Sequence, residues 1–308
     1  MTATPHKATA VAALLINALV WGVSWWPFKN LQALGLHPLW STAWVYLLAF
    51  VMLVVVFVWR GLWPSQTWRH PGLWALWLAS GLTNVGFNWA VTVGDVVRVV
   101  LLFYLMPAWS VLVAWWLLGE RPHARALWRL ALALCGLVIV LKTPETPWPV
   151  PQSLPDVLAL LGGLSFAVTN ALLLKLRDTP DSARMLAMFG GGASMAALTA
   201  LMALGAGIIA PVPDVSGHVL AWAPWALALS TAFLFGNFAL QLGAAHLPAH
   251  TTALVMLSEV VFASVSSYVL GASEWSLRTA AGGSLIVLAA LLAVGWPERA
   301  SHVQQVST

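Results

Sequence analysis

One acidic residue interrupts a long apolar stretch in the C-terminal part of the sequence. Glu259 lies ten residues into the run 249–270, which is long enough to cross the hydrocarbon core of a bilayer. Ionising a carboxyl at mid-membrane costs about 2.5–3.5 kcal/mol, so such a group persists only if it faces water, has a partner or stays protonated. Glu259 is therefore predicted either to bind a substrate ammonium or carry a proton, or to be a protonated carboxyl that hydrogen-bonds to a neighbouring helix.

Two pairs of amide side chains occupy other apolar runs at a spacing of four residues. Asn84 and Asn88 form one pair, and Asn237 and Gln241 form the other. Residues four apart share one face of a helix, and an amide both donates and accepts hydrogen bonds. Each pair is predicted either to contact the carboxylate and ammonium of a zwitterionic substrate or to hold one helix against another.

Aromatic and hydroxyl side chains make a third group of candidates. Trp21 and Ser24 share a stripe of the first apolar run, and Tyr104 lies deep in the fourth, three residues before Pro107. An indole wall suits the apolar or aromatic part of a substrate, and its N–H can donate a hydrogen bond. Anchoring at the membrane interface explains most of the 20 tryptophans, but Trp21 lies too deep in its run for that role.

Several other classes of function lack support in the residues. No Ser/His/Asp set shares a depth, no histidine pair has metal-ligand spacing, and no phosphate-binding Gly-x-x-x-x-Gly-Lys loop occurs. We therefore expect no catalytic residues, no metal and no cofactor, and we expect the chain not to be an enzyme. The basic residues are scattered, so nucleic acid is not an expected partner, and no obligatory protein partner is evident. The run Gly190-Gly191-Gly192 is interpreted as close helix packing.

Composition places these residues in a membrane protein. Of the 308 residues, 60% are hydrophobic and only 8% are charged, with a single cysteine. A soluble domain has about a quarter of its residues charged. Continuous apolar runs predict an all-α fold of ten transmembrane helices, at 9–28, 38–59, 72–91, 96–118, 124–141, 155–176, 183–209, 220–243, 249–270 and 277–296.

The basic residues predict the orientation of these spans. With the N-terminus inside, ten of the 14 Lys and Arg residues fall at inside ends: Lys7, Arg60, Arg69, Arg121, Arg125, Arg129, Lys175, Arg177, Arg184 and Arg299. The four at outside ends are Lys29, Arg98, Lys142 and Arg278. Positive residues favour the cytoplasmic side, so both termini are predicted to be cytoplasmic.

The two halves of the chain resemble each other. A shift of 152 residues lays 92–119 on 244–271 without a gap, so that span four matches span nine. Five spans per copy is an odd number, so the second copy must enter the membrane from the opposite side, as in transporters that alternate access to a central site. The predicted division is a first repeat at 1–145, a second, inverted repeat at 153–297 and a cytoplasmic tail at 298–308.

These features resemble the drug/metabolite transporter superfamily, and within it the ten-helix family with two EamA-type repeats. The resemblance covers residues 9–296 and rests on Trp21-Gly22, on Pro107 and on the sequence Leu118-Gly119-Glu120-Arg121-Pro122. Span order and tryptophan content are most similar to the YddG-type exporters of aromatic and other amino acids. The second repeat has Glu259 where the first has Pro107, which leaves open whether spans four and nine bend alike.

The resemblance implies a secondary transporter in a bacterial inner membrane that exports small amphiphilic metabolites through a central cavity by alternating access. Amino acids are the leading solutes, and purines, cationic drugs or dyes are the alternative. An intramembrane enzyme and a channel are weaker alternatives. The partners expected are the solute and the lipid bilayer. The candidate binding residues are Trp21, Ser24, Asn84, Asn88, Tyr104, Asn237, Gln241 and Glu259.

Overall fold

The structure is a computed structural model that describes residues 7–64, 69–93, 96–119, 122–142, 151–212, 215–271 and 276–295. Within these ranges the chain is helical and contains no strand, which confirms the predicted all-α fold class. The α-helices are α1 Lys7–Ala33, α2 Pro38–Trp59, α3 Pro71–Val93, α4 Val96–Phe103, α5 Met106–Val113, α6 Ala124–Leu141, α7 Leu154–Lys175, α8 Asp181–Gly205, α9 Val215–Ala244, α10 Ala249–Met256, α11 Ser258–Val269 and α12 Leu277–Gly295. A π-helix, Ala114–Leu118, continues α5.

Most of the described helices have the length and composition of membrane spans. Eight segments qualify on both counts: Lys7–Ala33, Pro38–Trp59, Val99–Leu118, Ala124–Leu141, Leu154–Lys175, Asp181–Gly205, Ala221–Ala244 and Ala249–Val269. Leu277–Ala293 is apolar but shorter, and α3 has the length but is less apolar because it contains Asn84 and Asn88. Each of the ten predicted spans thus coincides with one helix or with consecutive helices.

Spans four and nine are both broken at their centres. In span four, α4 ends at Phe103 and α5 begins at Met106, where Pro107 has no N–H to donate and its ring crowds the carbonyl four residues earlier. In span nine the break falls at Leu257, and the amide of Val260 donates to the Leu257 carbonyl at 3.1 Å instead of to a residue four back. The two breaks occupy matching positions in the two halves, so both spans are interrupted at the same place although the second lacks the proline.

The directions of the packed helices follow from pairs of contacts along each interface. α1 runs antiparallel to α9 and parallel to α10 and α11, while α7 runs antiparallel to α3 and parallel to α4 and α5. For α1 and α9 the contacts are Trp21 with Phe233 and Trp26 with Trp225, and for α1 with α10 and α11 they are Asn17 with Met256 and Trp25 with Ser266. For α7 and α3 they are Gly86 with Gly162 and Gly72 with Leu176. For α7 with α4 and α5 they are Phe103 with Gly163 and the cluster of Val113, Ala167 and Ala171.

Several helix pairs that pack together have a counterpart in which each helix is replaced by the corresponding helix of the other half. The pair α1 and α9 corresponds to the pair α7 and α3, and α1 against α10 and α11 corresponds to α7 against α4 and α5. Of the remaining large interfaces, α2 with α8 and α6 with α12 each correspond to themselves, and α3 with α8 corresponds to the smaller interface of α9 with α2. At the interface of α6 with α12, a Cβ on Gly136 would lie 2.6 Å from the Gly282 carbonyl and one on Gly282 would lie 2.5 Å from the Gly136 carbonyl. Such mutual pairing is the relation that an inverted repeat requires.

The glycine run in α8 packs against the aromatic side chains and backbone of α2 and α3, as predicted. A Cβ on Gly190 would meet the Trp77 ring at 2.3 Å, and one on Gly192 would meet the Tyr46 ring at 2.2 Å. A Cβ on Gly191 would lie 2.1 Å from the backbone oxygen of Trp77. Glycine therefore sets the spacing of these three helices.

The stability of the N-terminal end of α2 is expected to depend on pH through His37. His37 caps this helix by accepting a hydrogen bond from the amide of Leu39 at 3.3 Å, and burial lowers the pKa of its imidazole below the usual 6.5. Only the neutral ring can accept this bond, so its stabilising effect is present above pH 6.5 and is lost as the pH falls below that value. We expect His37→Asn, which keeps a capping oxygen, to have a smaller decrease in melting temperature than wild type between pH 8 and 5. An identical decrease in both proteins would contradict the role of His37.

Candidate functional site

A cavity lies between the two halves of the helical bundle. The space inside it that the centre of a water molecule can reach is about 70 Å³. Both halves contribute side chains, and the lining consists of Trp21, Tyr46, Ser80, Thr83, Asn84, Phe87, Phe103, Met106, Phe166, Thr169, Met188, Asn237, Leu240, Met256 and Glu259. A concave, mainly apolar space with a few polar groups is typical of a small-molecule site.

Aromatic rings form much of the apolar wall. The indole of Trp21 stacks on Phe233 with ring centroids 4.5 Å apart, so a second ring behind it holds its orientation. Phe103 lies 4.7 Å from Phe87 and 6.3 Å from Phe166, again measured between centroids. Rings in mutual contact lose few further rotamers when a ligand binds, which favours recognition of an apolar or aromatic group.

The acidic group of the cavity is positioned by the two helix breaks. Glu259 is in the first turn of α11, two residues after the break at Leu257, and Tyr104 lies in the break between α4 and α5. The Tyr104 hydroxyl donates a hydrogen bond to the Glu259 carboxyl. Glu259 also lines the cavity, whereas Tyr104 is only 5% exposed and lies behind it. This contact joins span four of one half to span nine of the other.

Among the described residues of the cavity lining, Glu259 is the only carboxylic acid, and none is Lys, Arg or His. An ionised carboxylate there needs a positive partner from outside the lining, and an ammonium or a proton would neutralise it. Among the described residues, no three His, Cys, Asp or Glu lie close enough together to hold a metal ion. The charge pattern of the cavity thus favours a ligand with a cationic group.

Two of the predicted amides line the cavity on opposite halves of the chain. Asn84 donates to the Ser80 carbonyl at 2.9 Å and shares a hydrogen bond with the Tyr46 hydroxyl. The Asn237 oxygen accepts from the Gln241 amide at 2.9 Å, and its own amide lies 3.5 Å from the Met188 sulfur. Sulfur is a weak acceptor, so the Asn237 N–H groups are available to a better acceptor on a ligand.

The structure brings four of the eight predicted residues together in the cavity lining, namely Trp21, Asn84, Asn237 and Glu259. Tyr104 and Gln241 lie behind this lining and hydrogen-bond to two of its members. Ser24 and Asn88 are not in the lining. Ser24 donates to the Trp21 carbonyl at 2.7 Å, and Asn88 donates to the Thr42 hydroxyl at 2.9 Å. The contact of Asn88 matches the alternative role of holding one helix against another.

Sequence reasoning missed most of the aromatic and hydroxyl lining. Ser80 and Phe87 share the α3 face of Asn84, at four and three residues from it, so helical spacing alone could have identified them. Phe103 and Phe166 gave no such signal, because an aromatic ring in an apolar span looks the same whether it faces lipid or a cavity. The side chain of Arg98 and the residue Glu120 lie outside the part of the chain whose side chains are described.

Comparison with known proteins adds a family to this geometry. Residues 8–142 match the family described as "EamA-like transporter family". One solved structure, described only as "Crystal structure of protein", superposes with a TM-score of 0.72 at 19% sequence identity, over 92% of this chain and 96% of that chain. At that identity the likeness shows a shared fold. No curated protein matches the chain in sequence. The chain is therefore a multi-pass membrane protein whose residues 8–142 are similar to the EamA-like transporter family.

Proposed function

We propose that the protein is a secondary transporter that exports small amphiphilic solutes, with amino acids as the leading class. The observation that carries this proposal is the cavity itself. Its aromatic wall, two amides and single carboxyl come from both halves of the chain. Helix contacts made by one half have counterparts made by the corresponding helices of the other half. A site between inverted repeats can be exposed to either side of the membrane by rocking one half against the other.

The chemistry of an amino acid matches the groups of the cavity. Its ammonium can pair with Glu259, and its carboxylate can accept hydrogen bonds from the Asn237 and Asn84 amides. Its side chain would contact the wall formed by Trp21 and the phenylalanines, which favours aromatic and large apolar amino acids. This specificity would place the protein beside the YddG-type exporters within the EamA-like family.

Cationic drugs or dyes are the second candidate class, because one observation favours them. The lining has a carboxyl and aromatic rings but no Lys or Arg to pair with a solute carboxylate. A flat cation could stack on Trp21 and pair with Glu259 without using the amides. Purines would use the rings and the amides but would leave Glu259 without a charged partner.

The proposal includes the architecture predicted for the two halves. The first repeat spans 1–145 and the second, inverted repeat spans 153–297, with a tail at 298–308 and both termini in the cytoplasm of a bacterial cell. The matching breaks in spans four and nine and the reciprocal helix contacts support this division. The excess of Lys and Arg at predicted inside ends supports the orientation.

Reconstitution in liposomes tests the proposed function. Labelled amino acids and a fluorescent cationic dye are screened for uptake with and without a proton gradient, against protein-free liposomes. We expect saturable transport of an aromatic amino acid. Linear uptake would indicate a channel, and saturable transport of the dye with no amino-acid transport would favour the second candidate class.

Two tryptophan variants show whether that transport uses the cavity. Trp21→Ala removes the ring that lines it, and Trp116→Ala removes a tryptophan that is 83% exposed on the outer surface of the bundle. Loss of a stacking ring costs about 1–2 kcal/mol, so we expect the transport efficiency for an aromatic solute to fall about tenfold in Trp21→Ala. Trp116→Ala should transport as wild type does. Equal effects of the two changes would mean that the cavity does not bind the apolar part of the solute.

A further inference from the structure

A layer of buried polar side chains lies beneath one end of the cavity. It consists of Asn17, Ser110, Asn170, Gln241 and Thr252, here called the polar layer, and each of them is at most 1% exposed. Each is four residues from a side chain of the cavity lining, respectively Trp21, Met106, Phe166, Asn237 and Met256. Four residues are about one helical turn, or about 6 Å along the helix axis.

All five residues lie towards the same end of the bundle. In α1 and α10, which run parallel, the residue of the polar layer precedes its partner in the cavity lining. In α9, which is antiparallel to α1, it follows that partner. It also follows its partner in α5 and α7, which belong to the even-numbered spans four and six and so cross the membrane in the opposite sense to spans one and nine. The end concerned is therefore the one at which α1 begins. α10 packs against all four other helices that contribute to the layer, which places its Thr252 centrally.

The polar layer has few hydrogen bonds inside the protein. The Asn17 Oδ1, Ser110 Oγ, Gln241 Oε1 and Thr252 Oγ1 atoms and both polar atoms of the Asn170 amide have no protein partner. Ser230 gives the contrast, because it is also fully buried but its hydroxyl donates to the carbonyls of Val45 at 2.9 Å and Ala226 at 2.7 Å. Buried polar groups in folded proteins almost always have partners. Six atoms without one, one turn below a cavity, indicate a surface that meets water or a polar ligand.

We propose that the polar layer is a second solute subsite, closed in this conformation, which receives the polar head of a solute as it passes between the cavity and the membrane face where α1 begins. The inference rests on the proposed transport function. Amides and hydroxyls donate and accept hydrogen bonds without carrying charge, so the subsite suits an uncharged or zwitterionic head group. When the helices around α10 separate, the solute head and the water that accompanies it supply the missing partners.

Cysteine labelling tests whether the polar layer opens. Thr252→Cys and Ala253→Cys, both in a Cys135→Ser background, place a thiol at adjacent, fully buried positions of α10, of which only the first belongs to the layer. The probe is a membrane-impermeant, ammonium-bearing methanethiosulfonate added at the face where the chain begins. Thiols react through the hydrated thiolate, so we expect Thr252→Cys to react at least about tenfold faster than Ala253→Cys. Equally slow reaction of both variants, with transport intact, would overturn the inference.

A pair of serine variants gives a second, independent readout. Ser110→Ala removes a hydroxyl without a protein partner, and Ser230→Ala removes a paired one. A subsite residue is expected to act in transport and not in stability. Ser110→Ala should therefore leave the melting temperature unchanged or raise it while lowering the transport rate, whereas Ser230→Ala should lower the melting temperature. A lower melting temperature with unchanged transport in Ser110→Ala would show a structural role and overturn the inference.

The two proposals fail in different ways. If liposomes that contain the wild-type protein transport none of the solutes, the proposed function is overturned, whatever the reaction rates of the cysteine variants. Transport by the wild type together with an unreactive Thr252→Cys would leave the proposed function standing and remove only the second subsite.

Discussion

Replacing Glu259 by glutamine is expected to remove most transport of a solute that bears an ammonium group, while the protein still folds. Glutamine keeps the shape of the side chain and can still accept the hydrogen bond from the Tyr104 hydroxyl. What is lost is the negative charge of the only carboxylic acid among the described residues of the lining. Loss of one partner of a buried charge pair costs about 2–5 kcal/mol, which corresponds to at least about a thirtyfold lower transport efficiency.

The measurement is uptake into liposomes by wild type, Glu259→Gln and Tyr104→Phe across pH 6–8. Tyr104→Phe removes one hydrogen bond to the carboxyl but keeps the charge, so its loss of transport should be smaller. If Glu259 also carries a proton, the pH dependence of wild-type transport should disappear in Glu259→Gln. Transport by Glu259→Gln near the wild-type level across this pH range would show that the carboxyl is only a structural hydrogen-bonding group, and Glu259 would then leave the proposed site.

The second large effect is expected at Gly191, in the α8 run that faces α3. A methyl group at this position would lie 2.1 Å from the backbone oxygen of Trp77. Backbone cannot rotate away as a side chain can, so α8 and α3 would have to separate. Overpacking of this kind costs about 1–3 kcal/mol. We expect Gly191→Ala to lower the melting temperature of the detergent-solubilised protein and its yield of monodisperse protein.

Gly205 provides the matched control for this substitution, because it ends the same helix and a methyl group there would have no neighbour within 4 Å. Gly205→Ala should melt at the wild-type temperature or slightly above it, since alanine favours the helix over glycine. The two variants can be compared through the fluorescence of the tryptophans during heating. A melting temperature of Gly191→Ala as high as that of Gly205→Ala would mean that α3 and α8 are not held at this close approach.

The sequence predicted the helices well, because each apolar run long enough for a span forms one. It could not predict the break at Leu257, which has no proline or glycine in the adjacent turns. The two halves reach the same break by different means. The fourth span is broken between Phe103 and Met106, just before Pro107, whereas the ninth is broken by a change of hydrogen-bond partner at Val260. At the same place the Ser258 hydroxyl donates to the Val255 carbonyl at 2.7 Å, a local contact of the kind that bends helices.

The candidate site was predictable where polarity itself was the signal. Glu259, Asn84 and Asn237 are conspicuous in apolar surroundings, and all three line the cavity. Asn88 is as conspicuous as Asn84, yet its amide donates to Thr42 of α2. One turn of helix separates a lining position from a helix–helix contact, and only the packing of α2 against α3 decides between them. Sequence pattern can find the face of a helix but not the neighbour that covers it.

The two breaks divide spans four and nine into short rods, and the geometry of these rods sets how far their ends can travel. α10 has eight residues and is therefore about 12 Å long, whereas α5 continues directly into the π-helix Ala114–Leu118 and forms a longer rod. Pivoting α10 by about 20° at its break moves its far end by about 4 Å, which is wider than a water molecule. An unbroken span would have to tilt over its whole length to give the same displacement, and it would pull Glu259 and Tyr104 out of place as it did so. Because both residues lie next to the breaks, α5 and α10 can pivot while the carboxyl keeps its position.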